Sequence, residues 1–307
     1  MNGHAVLGAW LGGLMVLTTA CVGSSEAIGF GDEGISEDGS EPGSSSGSSS
    51  GTSSSSSGHS GPGWPGCVER PGDALATTLP QIWYDNPVEP TAVWLEGVYV
   101  SAISGGGCQL NTPCHLFVQQ HPSYGMLHEA AWQSLRLEVS DGIAHYFEDI
   151  NVGDQIDLAA HAWRRADGGR NELQLQVSSG LPGCAVVVGR AELAPVAATL
   201  GDLTVDAYEE SLGPVLVQVA AVVGEPEGLD ETFALWPQGD FDDDSADVTS
   251  LSPYFLPNHQ FVGLAAGQVF SFWSVTGVFA VYSPASNPSV KYEEIYLRSM
   301  ADLLLGE

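Results

Sequence analysis

Positive charge is what this sequence has least of. The chain contains 8 Lys and Arg residues against 38 Asp and Glu residues, a formal net charge of −30 at pH 7. Six acidic residues and no basic ones precede Cys67, so the rest of the chain keeps 32 acidic and 8 basic residues, a charge of about −24. Such a surface repels phosphate backbones, and the composition therefore disfavours nucleic-acid binding.

Motifs for phosphate binding and serine hydrolysis are also missing. A phosphate-binding loop needs a Lys after its Gly residues, and the single Lys of the chain, Lys291, has no such neighbours. The pattern Gly-x-Ser-x-Gly occurs only at Gly43–Gly47 and Gly47–Gly51, in a Ser-rich stretch where a nucleophile elbow cannot form. The sequence predicts a protein that is not an enzyme.

The histidines do not complete a zinc-protease pattern. His115, His121 and His128 are close together in the sequence, and Glu129 follows the last of them. The second His of such a helix should stand three residues after the Glu, where this chain has Trp132. The pattern therefore disfavours a metalloprotease.

An acidic cluster is the strongest candidate for cation binding. The segment Asp240–Asp247 holds five carboxylates in eight residues, and Ca²⁺ prefers such oxygen ligands. It lacks the Gly and Glu that an EF-hand loop requires at fixed positions. We interpret it as a solvated acidic loop, with a structural Ca²⁺ held by Asp240, Asp242 and Asp244 as the alternative. No other cofactor is predicted.

The N-terminus carries the one long apolar run. Ala5–Leu17 is too short to span a bilayer with anchoring flanks, so residues 1–20 are predicted to be a secretory signal. The run ends Leu17-Thr18-Thr19-Ala20-Cys21, which resembles the lipobox of bacterial lipoproteins. That resemblance implies acylation of Cys21, export and a lipid anchor in the cell envelope, at the outer membrane. An ordinary secretory signal that leaves Cys21 as a thiol is the alternative.

Residues 21–65 form a predicted disordered tether. Few apolar residues occur from Val22 to Gly63, and Ser is nearly continuous from Ser44 to Ser57, so no core can form. A flexible coil of this length spans about 35 Å from end to end. An acylated Cys, a Ser/Gly tether and a following globular region resemble the organisation of bacterial surface lipoproteins.

Four further cysteines are an even number in a chain with a secretory signal, which favours disulfides. Three pairings are open. Cys108 and Cys114 enclose a short Pro-containing loop, and Cys67 and Cys184 would then tie the start of the globular region to the end of its first half. Zinc is the competing interpretation, but the Cys-x-x-Cys spacing of structural zinc sites is missing.

Two similar β modules are predicted from alternating residues. In the first copy a turn at Gly153 leads into alternation over Gln155–Ala160, the pattern of a half-buried strand. The second copy is Ala266–Phe272. Each copy is followed by another strand-like run, at Asn171–Val177 and at Lys291–Arg298.

Earlier strands complete the first module. Val93–Ile103 has β-branched and aromatic content with a Gly at the expected bend, and His115–Gln120 is a second strand. Leu135–Val139 and Ile143–Phe147 flank the turn dipeptide Asp141-Gly142 and are predicted to form a hairpin. This order of strands is that of a small Greek-key barrel.

The first module resembles OB-like domains of secreted and surface-attached bacterial proteins, including accessory domains of extracellular nucleases. The resemblance rests on Gly97–Val100, Leu116–Gln119, Val152–Leu158 and Asn171–Leu175. The end of the second module, Tyr296–Leu303, is similar to the closing segment of the same families, where an Arg and a nearby Asp follow the last strand. The resemblance implies an all-β fold with two tandem OB-like barrels, at residues 66–190 and 191–307.

These features predict a non-enzymatic, lipid-anchored envelope protein whose barrels bind an unknown protein or glycan. The alternative is an accessory nucleic-acid-binding subunit of an extracellular nuclease system. Arg164, Arg165 and Arg170 are the one basic cluster that would support this alternative. Large aromatic residues are predicted mainly in the cores, although OB barrels also use exposed aromatics for ligands. They are Trp94, Trp132, Trp163, Trp236 and Trp273.

Overall fold

Extended, alternating segments form two closed β-barrels in the computed structural model of this protein. The structure describes residues 70–306 apart from 105–106, 110–111, 166–171, 205–211, 227, 229–231, 239–248 and 283–291. The predicted signal, the tether and Cys67 lie outside the described residues. The described residues all belong to one compact unit.

Five strands close the first barrel. The strands of the first module are β1 (Leu75–Thr77), β2 (Thr91–Ile103), β3 (Cys114–Gln119), β4 (Ser134–Val139), β5 (Asp154–Arg165), β6 (Glu172–Val177) and β7 (Cys184–Arg190). Strands β2 to β6 follow the order β2-β3-β4-β6-β5, and β5 pairs back with β2. This is a five-stranded Greek-key barrel of the OB type.

The second module repeats this order. Its strands are β8 (Val196–Ala198), β9 (Val215–Gly224), β10 (Phe233–Pro237), β11 (Thr249–Ser252), β12 (Phe270–Tyr282), β13 (Tyr292–Tyr296) and β14 (Leu303–Leu305). The barrel runs β9-β10-β11-β13-β12, and β12 pairs back with β9. The predicted all-β fold with two tandem OB-like barrels is confirmed.

Each module also begins in the same way. A short strand lies parallel to the first barrel strand, β1 on β2 and β8 on β9, and a helix follows it. The helices are α1 (Leu79–Asp85) and α3 (Leu200–Thr204). Thr78 and Thr199 cap them by accepting backbone N–H groups of Gln81 and Asp202. Among the described residues, no helix has the length and apolar character needed to cross a membrane.

Both predicted Gly turns lead into the fourth strand of their barrel. Gly153 directly precedes β5 and has φ +90°, and Gly267 lies shortly before β12 with φ +71°. Such left-handed conformations favour Gly because it lacks a Cβ. A Cβ on Gly153 would lie 2.7 Å from the carbonyl oxygen of Ala191, whereas a Cβ on Gly267 would meet no described atom within 4 Å.

The strands after these turns face different cores. Ile156 and Leu158 of β5 are buried in the first core. Phe272 and Val275 of β12 are buried in the second. The predicted bend in β2 is also present, because the pairing with β5 shifts between Leu95 and Val98 around Gly97, whose φ is +64°.

The predicted strand at Ile143–Phe147 is wrong. Asp141–Phe147 forms a 3₁₀-helix after β4. Ile143, Ala144 and Phe147 are all buried in the first core. Because adjacent residues 143 and 144 point to the same side, the spacing fits a helical face and not the alternating faces of a strand.

A small apolar seam joins the two barrels. Phe117 on the outside of β3 packs against Phe255 and Tyr296 of the second module, with ring centroids 4.9 Å and 5.7 Å away. The buried residues of this seam are Ala102, Phe117, Leu216, Phe255, Val278 and Tyr296. The seam fixes the first barrel against the second through side chains that both barrels turn outward.

The connection between β3 and β4 also reaches the second module. It contains the short helix α2 (Leu127–Ala130), and Ala130 is fully buried in the second core. Tyr124 packs against the same core, and the N–H of Ala194 donates to the carbonyl of Pro122 over 3.0 Å. This connection therefore buries apolar side chains of the first module in the core of the second, because it is long enough to cross to its neighbour.

Candidate functional site

The predicted cation ligands lie outside the described residues: Asp240, Asp242 and Asp244. The disulfide between Cys108 and Cys114 is present, with Cα atoms 5.1 Å apart, and the short Gln109–Thr112 bridge lies within its loop. Cys184 is also disulfide-bonded. Because Cys67 lies outside the described residues, its pairing with Cys184 stays a prediction.

The three clustered histidines do not form a metal site. No group of three His, Cys, Asp or Glu side chains in the described part of the chain is arranged to hold a metal ion. His115 instead lies against Arg136, with its Nδ1 2.9 Å from Nη2 of the guanidinium. Its ring also packs near Tyr254 of the second module, with centroids 5.8 Å apart.

The predicted basic cluster is largely occupied by contacts within the protein. Nε of Arg164 donates to Oδ1 of Asn86 over 2.8 Å. Arg165 forms an ion pair with Glu138 over 3.1 Å. Arg170 lies outside the described residues. The charge of Arg165 is therefore matched by a carboxylate, whereas Arg164 is bonded to a neutral amide.

The tryptophans divide between core and surface. Trp94 is buried beside Ala74 and Ala159. Trp273 on β12 is 62% exposed, and Trp132 is 42% exposed and packs edge-on against Trp83. The other two, Trp163 and Trp236, are partly buried.

The Val-Gly-Asp turn serves the fold. Oδ2 of Asp154 accepts the N–H of Asn151 over 2.8 Å, and its other oxygen lies 3.5 Å from Nε of Arg190. Oδ1 of Asp157 accepts the N–H of Gly97 at the bend of β2 over 2.8 Å. These carboxylates stabilise backbone turns, so they are not ligand groups.

The strongest candidate site is the outer surface of β4, β6 and β5 in the first barrel, which we call the polar face. Leu135, Leu173 and Ile156 show that one side of these strands faces the core. The other side carries Arg136 and Glu138 of β4, Glu172, Gln174 and Gln176 of β6, and His161, Trp163 and Arg165 of β5. Strand pairing sets Gln174 between Arg136 and Trp163, and Gln176 between Glu138 and His161.

Two ion pairs cross the polar face. Nη1 of Arg136 lies 2.7 Å from Oε1 of Glu172, on the adjacent strand. Arg165 on β5 reaches Glu138 on β4. Because β6 lies between those two strands, the Arg165 side chain passes over β6 and helps to bury Gln174, which is 1% exposed.

Four polar atoms of the polar face have no hydrogen-bond partner within the described structure. They are Nδ1 of His161, Nε1 of Trp163, Nε2 of Gln174 and Oε1 of Gln176. A buried polar group without a partner costs about 1–3 kcal/mol, so such groups are normally satisfied by water or a ligand. These four atoms are buried, each with less than 1 Å² of exposed surface, so the polar face holds uncharged donors and acceptors without a partner from the described part of the chain.

A small cavity of about 220 Å³ adjoins the polar face at His161. Its walls are mostly small and apolar, formed by residues such as Ala74, Ala159 and Pro182, with Asp73 at one side. Burial lowers the pKa of His161 below its ordinary value, and the Asp73 carboxylate opposes that shift. His161 is thus favoured in its neutral form.

The surface that OB barrels commonly use for ligands is partly covered here. That surface lies on the second and third barrel strands, and in the first barrel the second strand, β3, buries its outward Phe117 in the seam. A groove of about 600 Å³ at the edge of the seam is lined by Arg190 and Arg298. Arg298 is held by Asp302 over 2.8 Å, the Arg and Asp of the closing segment noted in the sequence.

Comparisons with known proteins add little to this geometry. No protein-family model matches the chain, and no curated protein matches it. A solved structure of a replication protein A heterotrimer bound to single-stranded DNA shares 10% identity with a TM-score of 0.27. The match covers 69% of this chain and spans half of the other chain. The assignment of the fold therefore rests on the strand order of the two barrels.

Proposed function

We propose that this chain is a non-enzymatic, lipid-anchored protein of the bacterial cell envelope that binds a ligand through its double-barrel region. The lipid on Cys21 anchors the chain, the Ser/Gly tether holds the barrels away from the membrane, and the polar face of the first barrel contacts the ligand. The observation that carries the binding role is the set of unpartnered groups on the polar face.

The anchor is supported by the sequence around Cys21. A secretory run ends in small residues directly before a Cys, and a Ser-rich segment then separates that Cys from the first strand. An unanchored tail would not need this order. A coil of about 35 Å would let the barrels reach partners clear of the lipid headgroups.

The binding role is supported by what the polar face does not do for the fold. Its core-facing neighbours already close the barrel, and its charged residues are matched in two pairs. Buried polar groups without a hydrogen-bond partner destabilise a protein unless something else satisfies them. Binding of an external molecule gives these groups a use.

The anchor is tested by replacing Cys21→Ser in the full chain. The wild-type protein is expected to incorporate a labelled fatty acid and to sediment with membranes, and the variant is expected to lose both properties because it has no acceptor thiol. Ser24→Ala, three residues further along, is the matched control and should behave as wild type. Membrane partition and labelling that survive in the Cys21→Ser variant would refute the anchor.

A further inference from the structure

We infer that the free edge of β7 is a docking site for an extended, basic segment of another protein, which adds to the first sheet as a further strand. This site goes beyond the proposed function, because it does not use the polar face. The polar face lies on the half of β5 that pairs with β6, at His161–Arg165, whereas β7 pairs with the other half, Asp154–Ala159.

Strand β7 is the longest edge strand in the described part of the chain. It ends the first sheet, and the one strand it pairs with there is β5. The other edge strands, β1, β8 and β14, have three residues each, whereas β7 has seven. The backbone N–H and C=O groups along the unpaired side of such a strand can receive a further strand.

The middle of β7 is apolar but not buried. Val186, Val187 and Val188 are consecutive, and each is between 37% and 51% exposed. The pairing with β5 is regular from Cys184 to Val187, so Val186 and Val187 point to opposite faces of the sheet. Edge strands commonly carry Lys or Pro, which discourage pairing, and β7 has neither. An added strand would cover these valines while it pairs with the backbone.

The end of β7 lies among exposed carboxylates. Glu192 follows β7 directly after Ala191, whose N–H donates to the carbonyl of Gly153 over 2.9 Å. Asp149 belongs to the segment that leads into this Gly153 turn, and its carbonyl accepts the side-chain amide of Asn151 over 2.8 Å. Glu192 and Asp149 are both exposed.

A third exposed carboxylate, that of Glu96, lies at the bend of β2. The next residue, Gly97, accepts Nε2 of Gln155 through its carbonyl over 3.2 Å, and Gln155 pairs with Gly189 of β7. The bend therefore adjoins the end of β7.

These charges favour a basic partner. Arg190 at the end of β7 is matched by Asp154, whose carboxylate lies 3.5 Å away. Glu96, Asp149 and Glu192 belong to none of the ion pairs within the described structure. Lys or Arg side chains on an added strand would meet these carboxylates, which selects basic partners and speeds their association.

Other occupants fit less well. A second copy paired through β7 would bring together two chains that each carry a net charge of −30, with the same carboxylates on both. A nucleic acid would bring phosphates to the same carboxylates. An acidic peptide could pair with the backbone but would be repelled by its surroundings.

The test is titration of the full chain with the peptide Lys-Val-Lys-Val-Lys-Val-Lys, followed by calorimetry and by hydrogen exchange of the backbone amides. The peptide is expected to bind and to slow exchange within Val186–Val188. A peptide with Glu in place of each Lys should bind at least about tenfold more weakly. Added salt should weaken the binding of the basic peptide, because it screens the carboxylates.

Val187→Lys should weaken the binding by about tenfold or more, because it places a cation against the basic peptide. The matched control is Val269→Lys in the second module, since Val187 is 45% exposed and Val269 is 46% exposed. The control should bind the peptide as wild type does. Melting temperatures establish that both variants are folded.

A second variant keeps the test decisive if Val187→Lys does not fold. The double change Asp149→Asn and Glu192→Gln alters two exposed side chains and removes two of the three carboxylates. It should weaken the binding by severalfold and reduce its dependence on salt.

Three results would overturn the inference. The first is that the basic peptide does not bind, or binds without slowing exchange within Val186–Val188. The second is that the acidic peptide binds as tightly as the basic one. The third is a dimer, seen by sedimentation, that Val187→Lys dissociates, since a second copy would then occupy the edge. None of these results depends on the polar face, so the proposed binding function is tested separately.

Discussion

The outer face of the third, fifth and fourth barrel strands carries partly exposed polar residues in the first barrel, whereas in the second it is buried where it meets the seam. Gln176 on β6 corresponds to Tyr296 on β13, because each pairs in register with both the third and the fourth strand of its own barrel. Gln176 is partly exposed on the polar face, but Tyr296 is 2% exposed in the seam. His161 and Val278 correspond in the same way.

This difference shows how one fold supports two kinds of surface. The copy in the second barrel is covered at Tyr296 and Val278 by the outer side of β3 in the first barrel, through Phe117. The copy in the first barrel has no such cover and carries amides, charges and an indole. Its buried polar atoms lack partners within the described part of the chain.

The largest expected effect comes from changing the corresponding pair Tyr296 and Gln176. Tyr296→Ala should lower the free energy of unfolding by about 3–5 kcal/mol, because it empties a buried aromatic position in the seam. Gln176→Ala should change it by less than about 0.5 kcal/mol, because the side chain is partly exposed and its amide oxygen makes no hydrogen bond that the change would remove. Urea unfolding followed by circular dichroism measures both. Equal losses would show that the two faces do not differ as described.

The two Gly turns should respond unequally to the same substitution. Gly153→Ala forces a side chain into a left-handed conformation and against the Ala191 carbonyl, so we expect a loss of about 2–5 kcal/mol in unfolding free energy. Gly267→Ala should lower the unfolding free energy by about 1–2 kcal/mol, because only the left-handed backbone conformation disfavours the added side chain. Thermal unfolding of the two variants gives the comparison. A larger loss at Gly267 would contradict it.

The smallest expected effect is a pH dependence carried by His161, which has no counterpart at Val278. Burial lowers its pKa in the folded protein below the ordinary 6.5, so the unfolded chain takes up the proton first as the pH falls. The stability from neutral His161 is complete above pH 6.5 and is lost as the pH falls from there to the folded pKa.

The check is the free energy of unfolding of wild type and of His161→Gln measured across that pH range. The difference between the two proteins should shrink as the medium becomes more acidic. NMR titration of the His161 ring reports its pKa directly, and a value at or above 6.5 would rule out the effect.

Local patterns in the sequence were sufficient for the barrels. Gly153 and Gly267 could be recognised because a Gly followed by alternating residues is a short-range signal of a turn and a strand. The repeated start of the modules was not predicted, although Thr78-Leu79 and Thr199-Leu200 carry the same N-cap and apolar residue. Ile143–Phe147 failed because β-branched and aromatic content alone does not separate a short strand from a 3₁₀ turn.

The polar face could not be predicted in the same way. Gln174 and Gln176 look like the ordinary outward residues of a half-buried strand. Their position beside Trp163 and Arg136 depends on the register of three strands that are far apart in the sequence. The seam was hidden for the same reason, since Phe117 is covered by residues more than a hundred positions away.

The segment around α2 has a consequence for synthesis of the protein. Tyr124 and Ala130 pack in the second core together with Phe272. During translation they are synthesised well before Phe272. The first barrel can close during translation, but this connection keeps apolar side chains exposed until the second barrel follows. A fragment of the protein that ends at Arg190 would leave the apolar side chains of this connection permanently exposed. The two repeats, although alike in strand order, must therefore be encoded and produced together.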